Sequence, residues 1–324
     1  MEPVKWGILS AAKIAREWVA PAIHGSTSGR IAAIASRTPG KAEALAAPYD
    51  NVRLLGDYDA LLGDPSVDAV YIPLPNGDHV HWTKRALAAG KHVLCEKPIA
   101  LDEGEIDALI EARDTSGCFA AEAFMVTHHP QWRRVREMLA NGAVGRLVHI
   151  DGAFSFYNDD PGNIRNMASQ GGGALRDIGV YPCVTARFAT GAEPTDIRAE
   201  IEWDRGIDAT ARVWADFPTF TMSFYVSMRM AQRQFMVFHG TEGVLTVETP
   251  FNAKAYGDDV LHLACGTTAT RERFPLVDHY TEQVDAFART IREGAPYVCP
   301  LEFSKGNQRM IDMIYAAAGP APND

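Results

Sequence analysis

His92-Val93-Leu94-Cys95-Glu96-Lys97-Pro98 decides how this chain is read. The run from His92 to Cys95 is apolar without alternation, the mark of a strand covered on both faces. A lysine directly after such a strand must be solvated, paired or used, because its ammonium resists desolvation. Pro98 fixes one dihedral and removes a backbone donor, so Lys97 stands on a stiff corner. Open α/β sheets put their chemistry at the carboxyl ends of their strands. Lys97 therefore reads in two ways, as a catalytic cation or as a solvated lysine at a strand-to-helix turn.

Outward from this corner, the first third of the chain alternates apolar strands with helical segments. The pattern predicts strands over 4–9, 31–35, 52–55, 68–74, 92–95 and 118–123, with helices over 11–23, 41–47, 58–62, 79–89 and 102–116. Gly90 closes the fourth helix as its C-terminal cap. Six such strands predict a doubly wound parallel sheet of the Rossmann type, with its ligand across the strand ends.

Near Phe124 the pattern changes. A helix over 130–139 leads to strands over 147–156, 197–203, 210–217, 221–226, 235–238, 244–247 and 260–264. Several alternate, as in Thr210-Ala211-Arg212-Val213-Trp214-Ala215, which predicts a large, mostly antiparallel open sheet with two unlike faces. Helices return over 280–292 and 304–318. The fold class read from this is α/β: a dinucleotide-binding Rossmann domain over 1–123 and an α+β domain over 124–324 for substrate binding and oligomerisation.

The 324 residues suffice for two domains, and 47% of them are hydrophobic. Thirty-one basic against 41 acidic side chains leave a net charge of −10, and no basic run concentrates phosphate contacts. Nucleic acid and anionic membrane are therefore poor partners. Cys95, Cys118, Cys183, Cys265 and Cys299 are scattered and odd in number, with no CxxC pair. They argue against a disulfide framework or zinc cluster and for a reducing compartment. No metal site is read. No export signal or membrane-length apolar run is visible, so the expectation is a cytoplasmic protein.

The first strand runs into Gly7-Ile8-Leu9-Ser10-Ala11-Ala12-Lys13-Ile14-Ala15. A dinucleotide fingerprint wants GxGxxG here, and Ser10, Ala12 and Ala15 stand in its place. The residues remain small enough for backbone to approach a pyrophosphate at a helix N-terminus. Ser10, Ala11, Ala12, Lys13 and Ile14 are the cofactor candidates, although an ordinary strand–turn–helix reads the same way. The second strand ends in Ser36-Arg37-Thr38, without the acid that binds ribose hydroxyls in NAD enzymes. Hydroxyls and a guanidinium suit a 2′-phosphate, so NADP is favoured and NAD stays possible. Lys41 joins these contacts. So do Pro73, Leu74, Asn76 and His79 in the stiff loop after strand four, and Glu96, Lys97 and Pro98 after strand five. A histidine opening a helix, as His79 does, is also a common polar cap.

Gly171-Gly172-Gly173 opens a second turn, followed by Ala174-Leu175-Arg176-Asp177-Ile178-Gly179-Val180-Tyr181-Pro182. Asp177 and Tyr181 are four apart and share a helix face. They read as a catalytic pair, or as a helix-terminal acid and a core tyrosine. Pro182 within the pattern suggests a bent, buried helix. Hydride chemistry on an alcohol needs a base and a nearby positive charge, which Tyr181 and Lys97 would supply, with Asp177 orienting the lysine or the substrate hydroxyl. The polar loop Tyr157 to Asn166 offers Tyr157, Arg165 and Asn166 as contacts for a polyhydroxylated substrate, or reads as a solvated loop held by Asx turns.

Taken together these segments resemble the Gfo/Idh/MocA family of glucose–fructose oxidoreductase, inositol dehydrogenase and MocA-type proteins. The likeness covers essentially the whole chain. It rests on Trp6 to Ser10, Pro75-Asn76 with His79, Ala89 to Pro98, Gly142 to Gly145, Gly171 to Tyr181 and His239-Gly240-Thr241-Glu242-Gly243. The resemblance implies Lys97 as the active-site lysine, Asp177 as its carboxylate partner and Tyr181 as general acid/base. Tyrosine at that last position resembles the branch of glucose–fructose oxidoreductase, NADP-dependent xylose dehydrogenase and dimeric dihydrodiol dehydrogenase. The resemblance also implies a homodimer or homotetramer through the second sheet. Ser10 and Ala12 depart from the glycine pattern.

The function expected is an NAD(P)-dependent oxidoreductase acting on a sugar, an aldose at C1. Reduction of an anhydrofructose-type dicarbonyl sugar or oxidation of a trans-dihydrodiol are the enzyme alternatives. A non-catalytic cofactor-binding sensor is the alternative of another class.

Overall fold

A computed structural model of the chain describes residues 2–38, 40–253 and 259–321. The first part is an alternation of β1 (Val4–Leu9), α1 (Ala20–Gly25), β2 (Gly29–Ala35), α2 (Lys41–Ala46), β3 (Arg53–Leu55), α3 (Tyr58–Leu62), β4 (Ala69–Ile72), α4 (His79–Ala88), β5 (His92–Cys95), α5 (Glu103–Ser116) and β6 (Ala120–Glu122). The strands pair in the order β3-β2-β1-β4-β5-β6, every neighbour parallel. That is the doubly wound Rossmann order, with its crevice where the winding reverses at β1 and β4. All of β4 is buried, as a strand between two helical layers must be. Asp57 and Asp102 start α3 and α5 by accepting from the amides of Ala60 (2.6 Å) and Glu105 (2.9 Å). Such caps contribute ~1 kcal/mol each.

The second sheet follows α6 (Pro130–Ala140). Its strands are β7 (Leu147–Tyr157), then, after α7 (Val180–Thr190), β8 (Asp196–Asp204), β9 (Ile207–Asp216), β10 (Thr221–Ser227), β11 (Arg229–Gly240), β12 (Val244–Val247), β13 (Asp259–Cys265) and β14 (Thr268–Phe274). The order is β14-β13-β12-β11-β7-β10-β9-β8. Every pairing is antiparallel except β7 with β10. Alternation gives β9 a buried side of Ala211, Val213 and Ala215, while Trp214 and Asp216 stay exposed. Gly152 on β7 leaves room for Met236 and for Pro182 of α7; a Cβ there would lie 2.7 Å from the Met236 sulfur. The mixed α/β architecture is as the sequence pattern predicts.

Two last helices follow, α8 (His279–Glu293) and α9 (Leu301–Ala318). The chain packs as two compact units: residues 1–128 with 278–305, and residues 129–277 with 306–324. The division differs from a single cut after residue 123. Phe287 of α8 packs on Trp6 (4.9 Å between rings) and Phe119 (5.1 Å). Arg292 pairs with Asp68 at 2.7 Å, and Arg113 grips Glu302 through two hydrogen bonds. The amphipathic pattern of α8 announces a covered face but not which sheet covers it. Among the described residues no helix is long and apolar enough to cross a membrane.

Candidate active site

The cofactor candidates of the first unit gather at the carboxyl ends of β2, β1, β4 and β5. Ser10 ends β1 with φ +102° and donates its amide to Ala35 of β2 at 2.8 Å. Ala11 and Ala12 carry no bulk beyond a methyl, and Lys13 is exposed. The helix that Ile14 opens begins with a wide turn in which Ala20 donates to the Ala15 carbonyl, and Ile14 makes no side-chain cap. Small residues thus stand at a helix start with no side chain closing it, which fits a pyrophosphate. At the end of β2, Ser36 accepts from the Thr38 amide at 3.2 Å. Arg37 is exposed, lies over the Tyr58 ring at 5.1 Å, and is 3.8 Å from Asp78. Lys41 is exposed at the start of α2. These groups fit the phosphates of a dinucleotide.

The loop after β4 and the corner after β5 are locked together by His79. It is buried, with Nδ1 2.7 Å from the Pro98 carbonyl and Nε2 2.7 Å from the Leu74 carbonyl. Burial pulls its pKa down, and the two carbonyls oppose that pull. His79 is thus a clasp between two strand ends, with Pro73 and Leu74 buried beside it and Asn76 half-buried. The Lys97–Pro98 bond is cis. Lys97 donates its amide to Glu96 Oε2 at 3.3 Å, and Glu96 Oε1 accepts from Tyr71 at 2.6 Å.

One residue here escaped the sequence reading. Glu122 ends β6 and is buried, and its Oε1 accepts from the Ile99 amide at 2.9 Å. Burial pushes its pKa up to about 7, against the Ile99 amide and the positive charge of Lys97. Its signal resembled that of Lys97: a charged residue directly after the apolar Ala120-Ala121.

In the second unit, Gly171 and Gly173 take φ +70° and +126°. The Gly173 amide donates to the Arg165 carbonyl at 3.0 Å, and a Cβ on Gly172 would lie 2.5 Å from that oxygen. Arg165 Nε donates to Asp177 Oδ2 at 2.6 Å, so the structure joins these two predicted residues directly. Tyr181 is buried, its ring 5.6 Å from both Phe154 and Phe251. The helix begins with a wide turn in which Val180 donates to Leu175, and continues as α7 with Val180 through Ala189 buried. The helix expected around Pro182 is buried, and its first turn is wide.

Tyr157 and Asn166 take part in the hydrogen bonding of their own loop. Tyr157 is exposed at the end of β7 and donates to Asp159 at 3.0 Å. Asn166 is buried; its amide donates to Asn158 and Asp160, and its Oδ1 accepts from Arg229 at 3.0 Å. Asn158, Asp160 and Asn163 each accept from an amide two residues on, so Asx turns do hold this loop. Arg229, which sequence reading missed, pins the loop through the Asn158 carbonyl and Asp204.

Residues 4–124 match the oxidoreductase family profile described as an NAD-binding Rossmann fold, and residues 132–246 match the GFO/IDH/MocA C-terminal domain. The chain belongs to the Gfo/Idh/MocA family. It is a nicotinamide-dependent oxidoreductase. It is 39% identical to an uncharacterised oxidoreductase of Rhizobium meliloti, over 98% of both chains. It is 35% identical to D-xylose 1-dehydrogenase (NADP(+)) 2 of Haloferax volcanii, over 97% of both. Among solved structures it resembles a 3-ketoreductase from Actinomadura kijaniata in complex with NADP and TDP-benzene, with TM-score 0.89, 31% identity and 97% of each chain covered. That ketoreductase has also been crystallised with a lysine and with a tyrosine substituted.

Proposed function

We propose that this Gfo/Idh/MocA protein is an NADP-dependent oxidoreductase of sugars, oxidising an aldose at C1. The observation that carries the reading is the pairing of a phosphate-suited β2 end, Ser36-Arg37-Thr38, with a lysine corner at the end of β5. No carboxylate stands among those three residues to repel a 2′-phosphate. Names of relatives point the same way: an NADP-dependent xylose dehydrogenase, and a ketoreductase holding NADP.

Bound there, the nicotinamide supplies the hydride acceptor or donor. The residues do the rest. Tyr181 takes the proton from the substrate hydroxyl as general base, or returns it to a carbonyl as general acid. Lys97 offers positive charge to the phenolate and to the alkoxide form of the substrate. Asp177, held by Arg165, orients the substrate hydroxyl. Burial of Tyr181 against Phe154 and Phe251 keeps water from its ring.

A second reading, reduction of a keto group on a sugar, is favoured by the ketoreductase likeness and by 32% identity over 97% of this chain to a dTDP-sugar 3-reductase of Actinomadura kijaniata. The same residues would act, with Tyr181 giving the proton. We further propose a homo-oligomer formed through the exposed face of the second sheet, where Trp214 stands in solvent.

An absorbance assay at the reduced-nicotinamide band decides. Aldoses, polyols and diols are offered with NADP or NAD, and keto sugars with the reduced cofactors. Turnover of an aldose with NADP supports the first reading, and turnover only of keto sugars moves the assignment to the second. Silence across the panel with cofactor still bound leaves a sensor.

A further inference from the structure

The catalytic helix is held by a carboxylate from another element. Asp208 lies on β9 and is 1% exposed. Its Oδ2 accepts from the Leu175 amide at 2.6 Å, in the first turn of the helix that carries Asp177 and Tyr181. Its Oδ1 accepts from the Tyr315 hydroxyl of α9 at 2.8 Å. A Cβ on Gly173 would run into that same Oδ1, so the glycine is required for the carboxylate to enter the turn. The Gly173 amide fastens in turn to the Arg165 carbonyl, and Arg165 Nε grips Asp177.

We propose that Asp208 is the positioning residue of this site: ionised, it fixes the start of the catalytic helix and with it the placement of Asp177 and Tyr181. The proposal rests on the reading of Asp177 and Tyr181 as catalytic groups. An ionised carboxylate at a helix N-terminus accepts more strongly than a neutral carboxyl. A small misplacement of reacting groups is enough to lower turnover steeply.

The groups facing Asp208 are its own β9 amide, the Leu175 amide, Arg176 from the catalytic helix and Tyr315 from α9. Arg176 also lies over the Tyr315 ring at 5.2 Å, and Asp312 acts on Tyr315 from one turn earlier. Burial pushes the Asp208 pKa up to about 6, against the Leu175 amide, the Tyr315 hydroxyl and the Arg176 charge. Turnover should therefore fall on the acid side as this carboxylate takes a proton.

The test is the pH profile of kcat for the full chain and three variants, with NADPH affinity read by fluorescence as a check on folding. Tyr315→Phe removes a donor to the ionised form, so the acid limb should move to higher pH by about half a unit or more. Asp208→Asn should flatten that limb and lower kcat ~10- to 100-fold, with NADPH affinity within about twofold. An acid limb unmoved in Tyr315→Phe, or a kcat within about twofold in folded Asp208→Asn, overturns the proposal. If Asp208→Asn fails to fold, the Tyr315→Phe shift decides. Tyr181→Phe separates the two layers. If that variant is active, the catalytic reading fails. If it is inactive while the other two behave as the parent, only the role of Asp208 falls.

Discussion

The two turns that open the two helices of the candidate site are built alike and finished differently. Each has a residue with positive φ, Ser10 at +102° and Gly173 at +126°. Each is followed by a wide turn closed over five residues, Ala20 to Ala15 and Val180 to Leu175. Each wide turn has a proline close behind it, Pro21 and Pro182, whose missing N–H leaves a helix carbonyl unclaimed and favours the widening. The difference lies at the helix start. In the second turn Asp208 plugs the N-terminus from 33 residues away. In the first, Ile14 caps nothing and small residues line the approach. The same backbone device thus receives a carboxylate of this chain in one place and, in the function proposed above, would receive a cofactor phosphate in the other.

The largest effect expected is chemical and belongs to the second turn. Tyr181→Phe should lower kcat by ~10²- to 10⁴-fold, the usual contribution of a general acid or base. Cofactor affinity, which draws on the first turn, should stay within a few-fold. Loss of NADPH binding in this variant would break the separation of roles.

Next comes the mount itself. Gly173→Ala combines a left-handed backbone with a collision against Asp208, and should destabilise the protein by about 2–4 kcal/mol. A denaturant midpoint equal to the parent's would show that the turn relaxes freely and is no mount.

Glu122→Gln probes the buried acid beside the lysine corner of the cofactor unit. The folded pKa of about 7 lies above the ordinary carboxyl value of 4.5. The ionised form is therefore disfavoured by folding. Stability attached to this group is full below 4.5 and is lost as pH rises through 7. Glutamine keeps an oxygen for the Ile99 amide and carries no charge. The variant should match the parent near pH 4.5 and exceed it by roughly 2–3 kcal/mol at pH 8. Urea unfolding at the two pH values is the measurement, and equal stability at both would remove Glu122 as the titrating group.

Arg37→Ala tests the cradle. Affinity for NADP should fall by ~10- to 100-fold while that for NAD changes little, because the guanidinium answers only the 2′-phosphate. Equal losses for both cofactors would mean that Arg37 acts through its stacking on Tyr58 instead.

Much of this contrast was legible in the amino-acid order. Lys97 stood out as a candidate because an apolar strand without alternation ended in a charge and a proline, and Gly171-Gly172-Gly173 because glycines permit the tight backbone approach that the structure shows at the Arg165 carbonyl. Asp208 did not, since in an alternating strand it reads as one more polar position; its partners lie 33 and 107 residues away. Nor did the return of α8 to the first unit, for the pairing of Phe287 with Trp6 spans nearly the whole chain and leaves no local pattern. Glu122 lay between these cases: its position was visible, but its burial under Ile99 depended on the corner after β5. The Asn166 loop was ambiguous because amide side chains serve Asx turns and ligands equally well.

The smallest expected effect is the most direct test of the likeness between the turns. Ser10 holds a left-handed backbone with a side chain, where Gly173 holds one without. Such strain is worth roughly 1–2 kcal/mol, and glycine returns about 0.5–1 kcal/mol of that through its larger unfolded-state entropy. Ser10→Gly should therefore stabilise the protein slightly, by about 0.5 kcal/mol, if the serine serves only the backbone. It should also weaken NADP by a few-fold if the hydroxyl donates to a phosphate oxygen. A gain in stability with a loss of affinity would mark Ser10 as strain retained for the ligand. A gain with affinity unchanged would mean that the turn needs only its shape, and that a glycine would have served in the first turn as it does in the second.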